Sequence, residues 1–128
     1  MKTLLPILLS LLLLAGCAGP AKAKRYLQIT MNEAIAIMEE ETGYLILDVR
    51  TPEEFAAGHI PGAINIPNET IGSEAPALLP DKNQRILVYC RSGNRSKQAS
   101  EKLAALGYTN ITEFGGINTW PGETVTGA

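Results

Sequence analysis

Residues 85–107 read RILVYCRSGNRSKQASEKLAALG. Arg85 to Tyr89 is strongly apolar and ends at Cys90, the pattern of a strand buried on both faces of a sheet. From Ser96 to Leu106 the apolar positions Ala99, Leu103 and Leu106 share one face of a helix, and Gly107 is a natural stop for it. A buried strand that runs through a tight loop into a helix belongs to an α/β protein with a mostly parallel sheet.

The flanking sequence repeats this alternation. Tyr26–Ile29 is a short candidate strand. Thr30-Met31-Asn32-Glu33 has capping-box spacing, and Met31, Ala34, Ile35 and Met38 follow on one helical face, closed by Gly43. Tyr44–Val49 (YLILDV) reads as a second buried strand. Thr51-Pro52-Glu53-Glu54 opens a short helix with proline at its favoured first position. A brief strand is expected over Ala63–Ile66, a helix over Glu69–Leu79, a last strand over Tyr108–Glu113 and a final helical turn over Gly116–Trp120. The expected fold is one α/β domain over residues 26–124, with helices on both faces of the sheet. In such sheets chemistry gathers at the carboxyl ends of the strands. Two strands end on polar residues there, at Asp48-Val49-Arg50 and at Cys90-Arg91.

The chain has 128 residues, 45% apolar and 19% charged, with a net charge of −2. That length suits one domain. The balance excludes a disordered chain and a nucleic-acid binder driven by bulk positive charge. Two cysteines and one histidine are too few for a disulfide scaffold or a zinc finger.

The first 17 residues, MKTLLPILLSLLLLAGC, are a different kind of segment. Lys2 precedes an apolar run from Leu4 to Leu14, too short to span a membrane as a helix but suited to an export signal. Leu14-Ala15-Gly16-Cys17 resembles the lipobox of bacterial lipoproteins. The resemblance implies removal of residues 1–16, a lipid on Cys17, and a tether over 17–25. The product would be an exported protein anchored to the cell membrane or outer membrane, facing the periplasm or exterior. An ordinary signal peptide with Cys17 incidental is the blander alternative. Removing the leader leaves 10 basic and 13 acidic side chains, a net of −3.

Cys90-Arg91-Ser92-Gly93-Asn94-Arg95-Ser96 carries the candidate chemistry. A strand delivers Cys90 to the sheet edge, and Gly93 lets the loop curl around it. Successive backbone N–H groups can then form an anion nest, reinforced by the positive end of the following helix. From Arg85 to Ser100 there are four basic residues and no acidic one, in a chain that is acidic overall. Such surroundings favour a thiolate and attract a small anion. A nucleophile and an anion cradle in one loop point to attack on an anionic substrate.

With these residues in view, the chain resembles the single-domain rhodaneses, the thiosulfate sulfurtransferases. Asp48-Val49-Arg50 is similar to the family's D-x-R strand end. Residues 54–67 (EFAAGHIPGAINIP) match its E-F-x-x-G-H-I-P-G-A-x-x-I-P segment, and residues 90–96 match its active loop, C-R-x-G-x-R-S. Phe114-Gly115-Gly116 with Trp120 matches the terminal G-G-x-x-x-W feature. The motifs span about residues 26–121. Cys90 and Arg95 enclose four residues, whereas related phosphatases and arsenate reductases enclose five, which disfavours a phosphatase. The resemblance implies a rhodanese-like fold and a Cys90 persulfide. Thiosulfate or another sulfane-sulfur donor would supply the sulfur, and a thiol, a dithiol protein or cyanide would accept it. It implies no metal, no organic cofactor and no nucleic-acid partner. A polysulfide or persulfide carrier, and a non-catalytic module that binds sulfur species or a partner, are the competing readings.

Individual residues carry bland readings beside sharp ones. Cys90 could be an inert core thiol, although its place before an arginine-rich loop favours catalysis. The amides and side chains of Arg91, Ser92, Gly93, Asn94, Arg95 and Ser96 are the candidate substrate-binding set. Arg95 could bind the anion, or pair with Asp48 and hold the loop. Asp48 is expected to support the loop, and Arg50 to pair with Glu54 or Glu53. His59 is expected to act as a structural hydrogen-bonding residue, and Trp120 as a pocket wall or core plug.

Overall fold

The computed structural model describes residues 25–128. The leader 1–16, the lipidation site Cys17 and nearly all of the tether lie outside the described residues.

Five strands form one sheet: β1 (Leu27–Gln28), β2 (Tyr44–Asp48), β3 (Ile64–Asn65), β4 (Arg85–Cys90) and β5 (Ile111–Gly116). Their order is β1-β5-β4-β2-β3, and every pair is parallel. Three α-helices cover it: α1 (Met31–Glu40), α2 (Pro52–Ala57) and α3 (Asn94–Ala105).

Strand alternation divides the core in two. Leu47, Val49, Ile86, Val88, Cys90 and Ile111 turn to one face, against Ala99 and Leu103 of α3. Ile46, Leu87, Tyr89 and Phe114 turn to the other, against Ala34 of α1 and Phe55 of α2. The neighbouring strands β2 and β4 therefore send their helices to opposite faces. That divergence opens the crevice at which α/β sheets place their ligands.

The helix starts follow from their caps. Thr30 and Thr51 each accept from the N–H of the residue three positions on, Glu33 and Glu54. Those glutamates reach back to the threonine N–H groups. Gly43 has φ +78° and turns the chain from α1 into β2.

Three expectations need correction. The helix expected over Glu69–Leu79 shrinks to a single 3₁₀ turn at Asn68–Thr70. Gly72 and Pro76 break the periodicity that follows, leaving an irregular segment that inserts Leu79 into the core. The last strand is displaced to Ile111–Gly116. Tyr108 is not part of it; its ring is buried beside α3 and its hydroxyl donates to the Leu79 carbonyl at 2.6 Å. Helix α3 starts at Asn94, two residues before Ser96, because Gly93 makes the turn on its own.

Where β2 ends, alternation puts Asp48 and Arg50 on the same side. Arg50 grips the Asp48 carboxylate through Nε and Nη2, at 2.7 Å for the shortest contact, and donates to the Gly58 carbonyl at 2.7 Å. Tyr89 adds its hydroxyl, which accepts from Ile60 N–H at 3.1 Å. Burial, followed by the hydrogen bond to Asp48, pushes the Tyr89 phenol above its ordinary value. His59 stacks on Phe55 at 3.7 Å, and its Nδ1–H donates to the Phe55 carbonyl at 2.8 Å, so this ring locks the turn after α2. Tyr89→Phe would leave Ile60 N–H without an acceptor in a buried position. The expected cost is about 1–3 kcal/mol, read as a lower urea midpoint at unchanged slope.

Candidate active site

Cys90 is the last residue of β4 and is 1% exposed. Its position depends on how β4 meets β5. Val88 pairs with Glu113, yet Cys90 pairs with Gly116, so β5 carries one residue more than β4 over this interval. Gly115, with φ +98°, absorbs that bulge. The strand bends, and the chain leaving Cys90 crosses directly over Gly116. A Cβ on Gly116 would overlap the Arg91 carbonyl and stand 2.6 Å from Ser92 Cα. The same carbonyl accepts from Asn118 N–H at 3.2 Å. Glycine at 116 is therefore a steric requirement of the loop.

Gly93 completes the turn. Its φ of +108° is a left-handed conformation open to glycine, and it places the Gly93 N–H 3.0 Å from Cys90 Sγ. Helix α3 begins at the next residue, so its positive end also faces the sulfur. A backbone donor and a helix start thus meet at the same sulfur.

The predicted site residues separate into two groups. Arg91, Ser92 and Asn94 are exposed around the loop, whereas Gly93 and Ser96 are buried. Ser96 does not face an open cradle. Its Oγ lies 3.4 Å from Sγ and donates within 2.7 Å of Glu113 Oε1, beneath the loop. Arg95 meets Glu54 of α2 in a two-pronged pair at 2.6 and 3.0 Å. The pairing with Asp48 is thus replaced: strand alternation turns Asp48 to the face of Tyr89, away from Cys90, where Arg50 holds it. Arg50 in turn pairs with Asp48 rather than with Glu54 or Glu53. Asp48 braces the end of β2 instead of the loop. Trp120 is half-buried against the α1 and α2 face, and its indole N–H donates to the Glu123 carbonyl at 3.0 Å. Among the described residues no group of three or more His, Cys, Asp or Glu side chains is placed to hold a metal ion.

Glu54 and Glu113 are the residues that sequence reasoning missed. Glu54 carried a signal as the third residue of a capping box, but its second duty on Arg95 is a tertiary contact. Glu113 is 2% exposed; its Oε1 also accepts from Gly115 N–H at 2.8 Å, and its Oε2 accepts from Gln28 Nε2 at 3.3 Å. An acid two positions after the core residue Ile111, inside an apolar strand, is the mark that could have found it.

Comparison with known proteins places this geometry. The model of the rhodanese-like domain matches residues 30–123. The thiosulfate sulfurtransferase PspE of Escherichia coli (strain K12) is 42% identical over 71 residues, covering 56% of this chain and 68% of that protein. The thiosulfate sulfurtransferase GlpE of Pseudomonas entomophila (strain L48) is 33% identical over 105 residues, covering 78% of this chain and 93% of its own. A solved structure described as a rhodanese with anions from E. coli superposes with a TM-score of 0.59 at 38% identity, over 66% of this chain and 99% of that one.

The hydrogen bonds from Arg95 hold the Glu54 carboxyl at about 2, well below its ordinary 4.5. A carboxyl depressed on folding stabilises the fold fully above its unfolded value and loses that contribution as pH falls toward about 2. Carbon NMR of the Glu54 carboxyl should therefore titrate near 2, and Arg95→Gln should return the midpoint toward 4.5.

Proposed function

The chain belongs to the rhodanese-like domain family, and from that premise we propose that it moves the outer sulfur of thiosulfate through Cys90 to a thiol acceptor. Its relatives named as thiosulfate sulfurtransferases support sulfur transfer as the activity. The observation that carries the finer reading is the Gly93 N–H donated to a buried Cys90 Sγ, under a loop with no acidic residue of its own.

The steps follow from that geometry. Cys90 thiolate attacks the outer sulfur of thiosulfate; the new Sγ–S bond forms as the bond to the sulfonate breaks, and sulfite leaves with the electron pair. The persulfide stays beneath the loop, where N–H groups and the end of α3 stabilise its charge. A thiolate acceptor then takes the outer sulfur, and Cys90 leaves as thiolate. Arg91, exposed at the loop, draws the anionic donor in. With the Arg95 guanidinium engaged by Glu54, the cradle is built from main-chain donors.

We also propose that the protein works outside the cytoplasm, held to a membrane by lipid on Cys17. The support is the sequence of residues 1–17. Labelled palmitate fed to expressing cells should enter the protein, and Cys17→Ser should remove the label; equal labelling of both would sink the anchor.

Incubation of the purified protein with thiosulfate should add one sulfur atom to its intact mass, discharged by cyanide or a dithiol. Cys90→Ser should gain none and should lose thiosulfate-to-cyanide turnover by at least about 10³-fold, as for removal of other covalent nucleophiles. Sulfur uptake from polysulfide but not from thiosulfate would replace the donor and leave the nucleophile in place.

A further inference from the structure

Of the two buried acids among the described residues, Asp48 is paired with Arg50, and Glu113 is left without a role in the mechanism above. Glu113 sits on β5 on the face that holds Cys90 and α3, as its position two residues after Ile111 requires. It takes part in none of the ion pairs formed among the described residues. Ser96 lies between this carboxylate and the thiol. Its single hydroxyl hydrogen has three acceptors in range: Glu113 Oε1 at 2.7 Å, Gly93 carbonyl at 3.0 Å and Gly115 carbonyl at 3.4 Å. The shortest contact is to the carboxylate, which also makes the strongest acceptor. The Cys90 S–H in turn points its donor at Ser96 Oγ across 3.4 Å. The thiol, the hydroxyl and the carboxylate thus form a chain of hydrogen bonds running in one direction.

We propose that Ser96 and Glu113 are a proton relay for Cys90: Sγ gives its proton to Ser96 Oγ while Ser96 gives its own to Glu113 Oε1. The S–H bond breaks, a Glu113 O–H bond forms, Ser96 exchanges one proton for another, and no oxidant or reductant takes part. Both hydrogen bonds then reverse. The sulfur anion receives the Ser96 O–H in addition to the Gly93 N–H, and Glu113 donates to Ser96. Gly115 N–H can continue to donate to Oε1 throughout. Ser96 touches the reacting sulfur; Glu113 acts through it as a positioning residue.

The other charged groups facing the cluster come from each element packed on it. Arg95 of α3 feels Cys90, Glu54 of α2 and Glu69 of the 3₁₀ turn, and Tyr26 beside β1 feels Glu101 of α3 and Glu113. Glu54 stays ionised down to about 2. Tyr26 is held above its ordinary 10.0 by burial and by the two glutamates. Glu101 is common to every variant below.

The test follows thiolate ultraviolet absorbance against pH in the full chain, with the Cys90→Ser spectrum subtracted to remove Cys17 and the tyrosines. A shared proton keeps the thiolate fraction constant between two titration steps, because both forms of the pair carry the same proton count. The wild type should therefore lose its thiolate signal in two steps separated by a shoulder. Glu113→Gln keeps an acceptor for Ser96 and Gly115 but takes no proton. It should lose the shoulder and fall in one step, about tenfold per pH unit below its midpoint. Ser96→Ala should lose the shoulder as well. A single step in the wild type, or a shoulder that survives Glu113→Gln, overturns the relay; the wild-type curve decides alone if the variant does not fold. The relay rests on Cys90 as the reacting group, but the readout needs no sulfur donor. A protein with the shoulder that takes no sulfur from thiosulfate keeps the relay and loses the proposed donor.

Discussion

The site depends on a steric fact at one residue of β5. The chain leaving Cys90 passes so close over Gly116 that no side chain fits between them, and Arg91 and Ser92 rest on bare backbone. This approach requires the slip between β4 and β5, with Gly115 taking up the extra residue at positive φ. Once the loop lies flat on β5, Gly93 is the point at which it must turn back. That turn aims an N–H at Sγ and starts α3 in the same stroke. Three glycines, none with a side chain to contribute, thus set the position of Cys90, the donor to it and the helix behind it.

Polar burial around this edge serves geometry more than stability. Asp48, Arg50, Ser96 and Glu113 are all buried. Each has given up hydration, and apolar residues of similar shape would give comparable stability. What the polar set supplies is direction. Arg50 ties the end of β2 to the Gly58 carbonyl, Glu54 ties α2 to Arg95 on α3, and Ser96 ties α3 to Glu113 on β5. The loop is therefore held from β2, through α2 and α3, to β5. Removing one partner leaves the other buried or half-buried without its match, which makes each link more specific than its net energy suggests.

Local rules made much of this legible in the sequence. The capping box at Thr30, the proline-led start of α2 after Thr51, the buried strands β2 and β4, and the loop from Cys90 to Ser96 follow from local sequence alone. Tyr108 misled because an aromatic after Gly107 fits a strand, while its hydroxyl found the Leu79 carbonyl across 29 positions of sequence. Pairings were less accessible for a different reason. Arg50, Arg95, Asp48 and Glu54 offer several charge-compatible matches, and strand alternation decides among them only once the register is known. The same holds for Glu113, whose neighbours in space, Ser96 and Gln28, lie 17 and 85 positions away.

The arrangement also bears on how sulfur would leave the site. Among the described residues Cys90 is the one free cysteine, and its side chain is buried beneath the loop. Under the proposed chemistry a persulfide there would have no second thiol among the described residues with which to form an internal disulfide, so that reading calls for an acceptor from outside. Arg95 is engaged by Glu54 and Ser96 faces inward, which leaves Arg91, Ser92 and Asn94 as the exposed rim. Under the proposed chemistry a donor anion and an acceptor thiol would cross that rim in turn, since one sulfur serves both. Such alternate use of one buried thiol is what the proposed double displacement through Cys90 would require.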